Sequence, residues 1–152
     1  MFKKILIICL LITINQPILA NNFELKKLIN LNKPWSLTFI NKDEILISEK
    51  SGSLILYNEK IQKKYSIPHN LKFNDDGQGG LLEVLNFKGD IYICYSEDRG
   101  SGKTSTSIAK AKFLTSGLIF KNIFQAQPPI KSGYHFGCRM VIQDNQYLYA
   151  SP

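Results

Sequence analysis

Three stretches of the chain share one pattern, in which a polar turn separates two apolar segments, and this pattern predicts the fold. They are SLTFINKDEILIS (residues 36–48), LLEVLNFKGDIYICY (81–95) and RMVIQDNQYLYAS (139–151). In each, an apolar stretch leads into a turn that contains Asp, and a second stretch rich in Ile, Leu or Tyr follows. Short apolar or alternating runs bounded by turn residues are typical of β-hairpins. The sequence therefore predicts an all-β chain.

The spacing of the three copies favours a repeat architecture. Leu37, Leu82 and Met140 hold similar places in the copies and are 45 and 58 residues apart. Repeats of about 40–50 residues made of short strands are typical of β-propeller blades. Similar hairpins also arise by chance in a β-sandwich, and that alternative stays open. Further strands are predicted at 54–57 and 105–113, whereas 23–31 has helical spacing without a strong cap and fits an edge strand equally well.

The N-terminus has the layout of a secretory signal peptide. Lys3 and Lys4 precede an uncharged run over residues 5–14, and a small residue, Ala20, follows the break at Pro17. The run is shorter than the roughly 20 residues that span a bilayer. We therefore expect residues 1–20 to be a signal peptide, 21–33 a polar lead-in and 34–152 the folded domain. The mature chain is expected to be exported, periplasmic or secreted, without a stable membrane span.

Composition and charge exclude several classes of protein. With 152 residues, 44% hydrophobic and 20% charged, the chain is not a disordered polar segment. Its net charge of +7 comes from scattered lysines and two arginines, whereas nucleic-acid binding proteins cluster basic residues on one face. We therefore expect no nucleic-acid partner. Loss of the signal segment would remove Cys9 and leave Cys94 and Cys138, whose pairing the sequence does not decide.

Two loop motifs resemble ligand sites and are interpreted as turns. GSGKTS (100–105) contains GKT, but Glu97 stands where a phosphate-binding loop needs its first Gly, and a strand pattern follows. DDGQGG (75–80) contains two Asp, but the spacing and the final Glu of a calcium-binding EF-hand are missing. No His or Cys lies at zinc-ligand spacing from His135. The residues themselves therefore predict no metal ligands.

His135 is the best candidate for a catalytic residue. It lies in SGYHFGCR (132–139), between glycines and just before a strand, where a His can act as a general base near neutral pH. A lone His is more often structural, and His69 beside Pro68 is interpreted in that way. Gln78, set among glycines, would present an exposed amide to a ligand.

Five segments in order carry a resemblance to a known family. They are PWSLTF (34–39), ISEKSG (47–52), GQGGLL (77–82), YICYS (92–96) and SGYHFGCR (132–139). Together they resemble the N-terminal part of the soluble sugar dehydrogenases that depend on pyrroloquinoline quinone (PQQ), the glucose/sorbosone or aldose sugar dehydrogenase family. The resemblance extends from Leu31 to the end of the chain.

The resemblance implies a fold, an activity and site residues. The family fold is a six-bladed β-propeller, of which this chain would hold the first two to three blades. The activity is oxidation of an aldose at its anomeric carbon, with PQQ as hydride acceptor and an external electron acceptor. The family's base falls on His135 in the HxGxR segment, and Gln78 and Arg139 fall on positions that contact sugar or cofactor. PQQ and calcium are implied as cofactors, although most of their binding residues belong to later blades.

The resemblance also predicts that the chain is incomplete. Fewer than three of six blades would leave apolar faces and strand edges uncovered. We expect such a chain by itself to be unstable or prone to aggregation and to bind no quinone. A non-catalytic, exported propeller-type binding module is the alternative function.

Overall fold

The described part of the protein is entirely β-structure. The computed structural model describes residues 24–151, which form ten strands and no α-helix. The strands pair antiparallel in three sheets, which confirms the all-β prediction. The predicted signal peptide, residues 1–20, lies outside the described residues. Within the described residues, no helix is long and apolar enough to cross a membrane.

The first sheet is a four-stranded meander in chain order. Its strands are β1 (Pro34–Phe39), β2 (Glu44–Glu49), β3 (Leu54–Asn58) and β4 (Lys63–Ser66). The period-two pattern of β1 places Ser36 and Thr38 on one face, where their hydroxyl oxygens accept hydrogen bonds from the backbone of the second sheet. The polar face of β1 therefore joins two sheets and does not face solvent.

The second sheet repeats the first. Its strands, again in chain order, are β5 (Leu81–Phe87), β6 (Asp90–Asp98), β7 (Thr104–Lys112) and β8 (Lys121–Gln125). The GKT motif lies at the tight turn between β6 and β7, where the Arg99 N–H donates to the Lys103 carbonyl at 2.9 Å. The interpretation of that motif as a hairpin loop is confirmed.

The third sheet is a hairpin of two strands within the described residues. These are β9 (Arg139–Gln143) and β10 (Tyr147–Ser151), with Leu148 opposite Ile142. The first strands of the three sheets lie side by side, since β1 contacts β5 and β5 contacts β9. The three predicted hairpin copies are thus β1–β2, β5–β6 and β9–β10, each beginning a new sheet.

The main core lies between the first and second sheets. Its buried side chains come from both sheets and from the loops that follow β4 and β7: Leu46, Leu54, Leu56, Ile67, Leu81, Val84, Ile91, Ile93, Tyr95, Ala109, Ala111, Leu118 and Phe120. Full burial of one Leu or Ile side chain stabilises the fold by about 1.5–3 kcal/mol. A smaller cluster that includes Leu82, Cys94, Ile108 and Met140 joins the second sheet to the third.

The lead-in packs on the outer face of the first sheet. Residues 24–31 form neither a helix nor a strand. Ile29 and Leu31 pack against Ile47, Ile55 and Tyr57. The helix and the edge strand considered for residues 23–31 are therefore both absent from the described part of this segment, and only Ile29 and Leu31 of its apolar residues pack on the sheet.

A disulfide bond joins Cys94 of β6 to Cys138, the residue before β9. The two Cα atoms are 6.3 Å apart and the closed loop spans 44 positions of the chain. Both residues are buried in the cluster between the second and third sheets. The bond fixes the start of β9, and with it the SGYHFGCR segment, onto the second sheet.

Candidate functional site

The structure brings Gln78 and His135 into direct contact. Gln78 lies in the loop between β4 and β5, and His135 lies in the loop between β8 and β9. The backbone N–H of His135 donates to the Gln78 side-chain carbonyl Oε1 at 2.8 Å. The backbone N–H of Gln78 donates to the carbonyl of Gly133 at 2.7 Å. Two loops that are far apart in the chain are thus joined by a pair of hydrogen bonds.

Glycine makes this close approach possible. Gly77 has φ of +57°, a left-handed conformation that L-residues with a side chain rarely adopt. A Cβ on Gly77 would collide with the carbonyl oxygen of Gly133. The first Gly of the GQGG segment is therefore needed both for its backbone angle and for the contact between the two loops.

The Gln78 loop is fastened to the first and second sheets by polar side chains. The Lys50 ammonium, at the β2–β3 turn, donates to the carbonyls of Gly77 and Asp75. The buried Ser96 hydroxyl accepts the Gly80 N–H at 2.6 Å and donates to the Asn74 carbonyl. Because both ends of the loop are held in this way, Gln78 is presented at a fixed place.

His135 is exposed to solvent and has a left-handed backbone conformation. Its φ is +67°, a region that non-glycine residues seldom occupy, although six other non-glycine residues among those described also have a positive φ. The angle by itself therefore does not single out His135. His135 and the neighbouring Tyr134, both exposed, border a cavity of about 670 Å³. An exposed His is a candidate general base.

The cavity beside His135 is apolar on most of its walls. It lies between the outer half of the second sheet and strand β10, and its walls include Ile108, Phe124, Ile130, Phe136 and Leu148. A second, polar cavity of about 250 Å³ is lined by Asn74, Asp76, Thr104, Lys131, Ser132 and Gly133. The segment 132–136 therefore separates an apolar space from a polar one.

Arg139, the third predicted site residue, lies apart from this hydrogen-bonded pair. Its guanidinium Nη1 is 3.6 Å from Oε1 of Glu83 on β5, and its side chain is 81% exposed. The other carboxylate oxygen of Glu83 accepts the Met140 N–H. Sequence reasoning missed Glu83, although a charged residue inside the apolar run LLEVL is itself a signal for a specific partner. A role for Arg139 toward sugar or cofactor stays a prediction.

His69 has the structural role that the sequence analysis gave it. Its Nε2 lies 2.8 Å from the Gly52 carbonyl, and its Nδ1 accepts the Leu71 N–H at 3.3 Å. Both ring nitrogens are thus used by the backbone. His135 differs because it is exposed and borders a cavity.

The residues present fit the polar edge of a sugar or quinone site and not a whole quinone site. The Gln78 amide and the His135 imidazole are suitable hydrogen-bonding groups for hydroxyl and carbonyl oxygens. A carboxylate-bearing quinone also needs cationic partners, and Arg139 faces Glu83. Within residues 24–151, no group of three or more His, Cys, Asp or Glu is placed to hold a metal ion.

Comparison with known proteins decides the family. Residues 31–152 match the family model described as Glucose / Sorbosone dehydrogenase. The chain belongs to this family. It is also 31% identical, over 132 residues, to the aldose sugar dehydrogenase YliI of Escherichia coli strain K12. That alignment covers 78% of this chain and 34% of the relative, so the chain spans about a third of the relative's length.

Solved structures show the same fold. A crystal structure of a glucose dehydrogenase matches with a TM-score of 0.71 and 31% identity, covering 78% of this chain and 37% of that one. The PQQ-bound form of an aldose sugar dehydrogenase from Streptomyces coelicolor matches with a TM-score of 0.67 and 20% identity, covering 80% and 38%. The second likeness, at that identity, concerns the fold alone.

Proposed function

We propose that this chain supplies the catalytic base and one sugar-binding amide of a PQQ-dependent dehydrogenase that oxidises aldoses at the anomeric carbon. The hydrogen bond between Gln78 and His135 carries the proposal, because it unites the family's two signature loops at one place. Family membership supports the substrate class, and the neighbouring polar cavity offers space for a polar ligand.

The architecture that fits this function is a six-bladed β-propeller, with residues 34–152 forming its first blades. Two successive four-stranded meanders and a third hairpin start from adjacent inner strands β1, β5 and β9. In a propeller, inner strands line a central axis and the loops at one end of the sheets form the ligand site. The loops that carry Gln78 and His135 both follow an outer strand and precede an inner one, so repetition places them at the same end.

The chemistry assigned to the chain's own residues is proton transfer and binding. His135 takes the proton from the anomeric hydroxyl of the sugar, and the Gln78 amide Nε2–H donates to a sugar oxygen. PQQ would supply the hydride acceptor for the anomeric carbon, so that loss of a proton and a hydride would convert the aldose to a lactone, with an external electron acceptor completing the balance. Calcium belongs to the proposal through the family resemblance only.

Export is part of the same proposal. Disulfide bonds persist in oxidising compartments such as the periplasm and are rare in the cytosol. The bond between Cys94 and Cys138 supports a destination outside the cytoplasm. The signal-like segment of residues 1–20 supports it from the sequence.

A chimeric enzyme, called the graft below, tests the proposed aldose oxidation. Residues 31–152 replace the aligned segment of the E. coli aldose sugar dehydrogenase, and PQQ-dependent dye reduction is measured with pairs of aldose and alditol such as glucose and sorbitol. We expect oxidation of aldoses only, because an alditol has no anomeric carbon. A folded graft that oxidises both equally, or neither, would contradict the proposed function.

A further inference from the structure

We infer that Gln78 is a positioning residue for His135, in addition to any contact that it makes with a ligand. The catalytic meaning of this inference rests on the proposed function, whereas its structural content does not. The side chain of Gln78 accepts a hydrogen bond from the main chain of His135, so it acts on the direction of the backbone from which the imidazole projects.

The oxygen and the nitrogen of the Gln78 side-chain amide have different surroundings. Its Oε1 accepts the His135 N–H, while its Nε2 has no hydrogen-bond partner among residues 24–151. An exposed amide nitrogen with two donors is free to bind a sugar oxygen or a carbonyl. One side chain can thus hold the base and contact the ligand at the same time, which would fix the distance between them.

The left-handed backbone of His135 has to be held in place by the residues around it. A non-glycine residue at φ of +67° gives up favourable backbone energy, and the surrounding structure must hold it there. Two hydrogen bonds do so. The Gln78 N–H donates to the carbonyl of Gly133, two residues before the His, and the His135 N–H donates to Gln78 Oε1. The chain after it is held by the disulfide at Cys138.

The support for Gln78 extends to the first sheet. The Lys50 ammonium donates to the carbonyl of Gly77, the residue directly before Gln78. The Gly80 N–H, two residues after it, donates to the buried Ser96 hydroxyl at 2.6 Å. Gln78 therefore stands on a loop anchored at both sides, which a side chain needs if it is to position another loop.

Substitutions at Gln78 separate the two functions of its side chain. Gln78→Glu keeps an acceptor oxygen for the His135 N–H and loses the Nε2 donor. Gln78→Leu loses both. Gln146→Leu, at the exposed β9–β10 turn, is the matched control because the Gln146 side chain makes no hydrogen bond among the described residues.

Hydrogen exchange of the His135 backbone amide in the ¹⁵N-labelled graft is the structural measurement, because the chain by itself is expected to associate. Loss of a single neutral hydrogen bond changes an opening equilibrium by about 2–10-fold. We expect exchange at His135 to speed up by that factor in Gln78→Leu and to stay at or below the wild-type rate in Gln78→Glu and Gln146→Leu. An unprotected His135 amide in the wild type, or loss of protection in a folded Gln78→Glu, overturns the inference even if Gln78→Leu fails to fold.

Kinetics of the same graft give the second measurement. A positioning role predicts that Gln78→Leu lowers kcat about 10-fold or more, whereas Gln78→Glu keeps kcat and raises KM through the lost donor. Equal kcat in the two variants would reduce Gln78 to a ligand contact and overturn the positioning role. If the wild-type graft has no activity, the proposed function fails, and the exchange experiment still decides the positioning of His135.

Discussion

At the scale of single residues, the site depends on a glycine that is needed for two separate reasons. Gly77 adopts a left-handed φ of +57°, and a methyl group on its Cα would collide with the carbonyl oxygen of Gly133. Gly89, at the β5–β6 turn, shares the left-handed φ, at +80°, but a Cβ there would meet no atom within 4 Å. Comparison of the two glycines therefore separates the cost of backbone strain from the cost of steric collision.

The first prediction concerns Ala at these two glycines. Gly89→Ala should lower the free energy of unfolding by about 1–2 kcal/mol, the strain of the left-handed conformation alone. Gly77→Ala should cost about 1–3 kcal/mol more, because the loops must also move apart. Urea unfolding measures both. Equal losses for the two variants would show that the Gly77–Gly133 contact is not tight.

The sequence points to Gln78 and His135 as candidate site residues but does not predict the contact between them. Glycines around Gln78 and His135 identify exposed, conformationally special positions, which a single sequence displays. The hydrogen bond between them goes to a backbone N–H, so no complementary pair of side chains reveals it. The same holds for Lys50, whose ammonium binds backbone carbonyls, and such contacts leave no pattern in the sequence.

At the scale of elements, the disulfide holds the His135 segment on the second sheet. Cys94 lies in the middle of β6, and Cys138 lies directly before β9 and three residues after His135. The crosslink thus connects a central strand to the loop that carries the candidate base. The sequence left this pairing open because two cysteines 44 positions apart do not show whether the fold brings them together.

The second prediction concerns loss of this crosslink. Closing a loop of 44 positions should stabilise the fold by about 4 kcal/mol in the chain-entropy model. The double variant Cys94→Ala/Cys138→Ala should therefore unfold at lower urea concentration, as should the wild type in reductant. The double variant should not respond to reductant, which is the control. Unchanged stability on reduction would contradict a structural role for the bond.

Strands were predictable where the sequence shows alternation or an apolar run. This holds for β1, β2, β3, β5, β6, β7, β9 and β10, which lie where the sequence predicts them. β4 (KKYS) and β8 (KNIFQ) were not predicted, since each of their residues is exposed and they therefore carry no pattern of burial. Their pairing is determined by the neighbouring strand and the preceding turn.

At the scale of the whole molecule, the two faces of the second sheet differ in how well they are covered. The face toward the first sheet is packed over its length, while the outer half of the other face borders the 670 Å³ cavity. Ile123, Phe124 and Ile130 there are 51–53% exposed. Strand β10 pairs with β9 on one edge, and residues 24–151 supply no strand for its other edge.

The third prediction follows from this uncovered face. Exposed apolar patches and free strand edges promote association. The purified chain should bind a hydrophobic dye and self-associate at micromolar concentration in analytical ultracentrifugation. Phe124→Lys should lower both signals, while Leu25→Lys should not, because Leu25 is 97% exposed on the lead-in and away from the face. A monodisperse chain without dye binding would contradict this prediction.

His135, held beside Gln78, is the proposed base that removes the proton from the sugar. Asn is the informative replacement, because it tolerates a left-handed φ and lacks a basic nitrogen. In the PQQ-loaded graft, His135→Asn should keep the melting temperature and lower kcat for aldose oxidation by about 10²–10⁴-fold, the usual contribution of a general base. A folded His135→Asn graft that keeps kcat within a few-fold of the wild type would contradict the account.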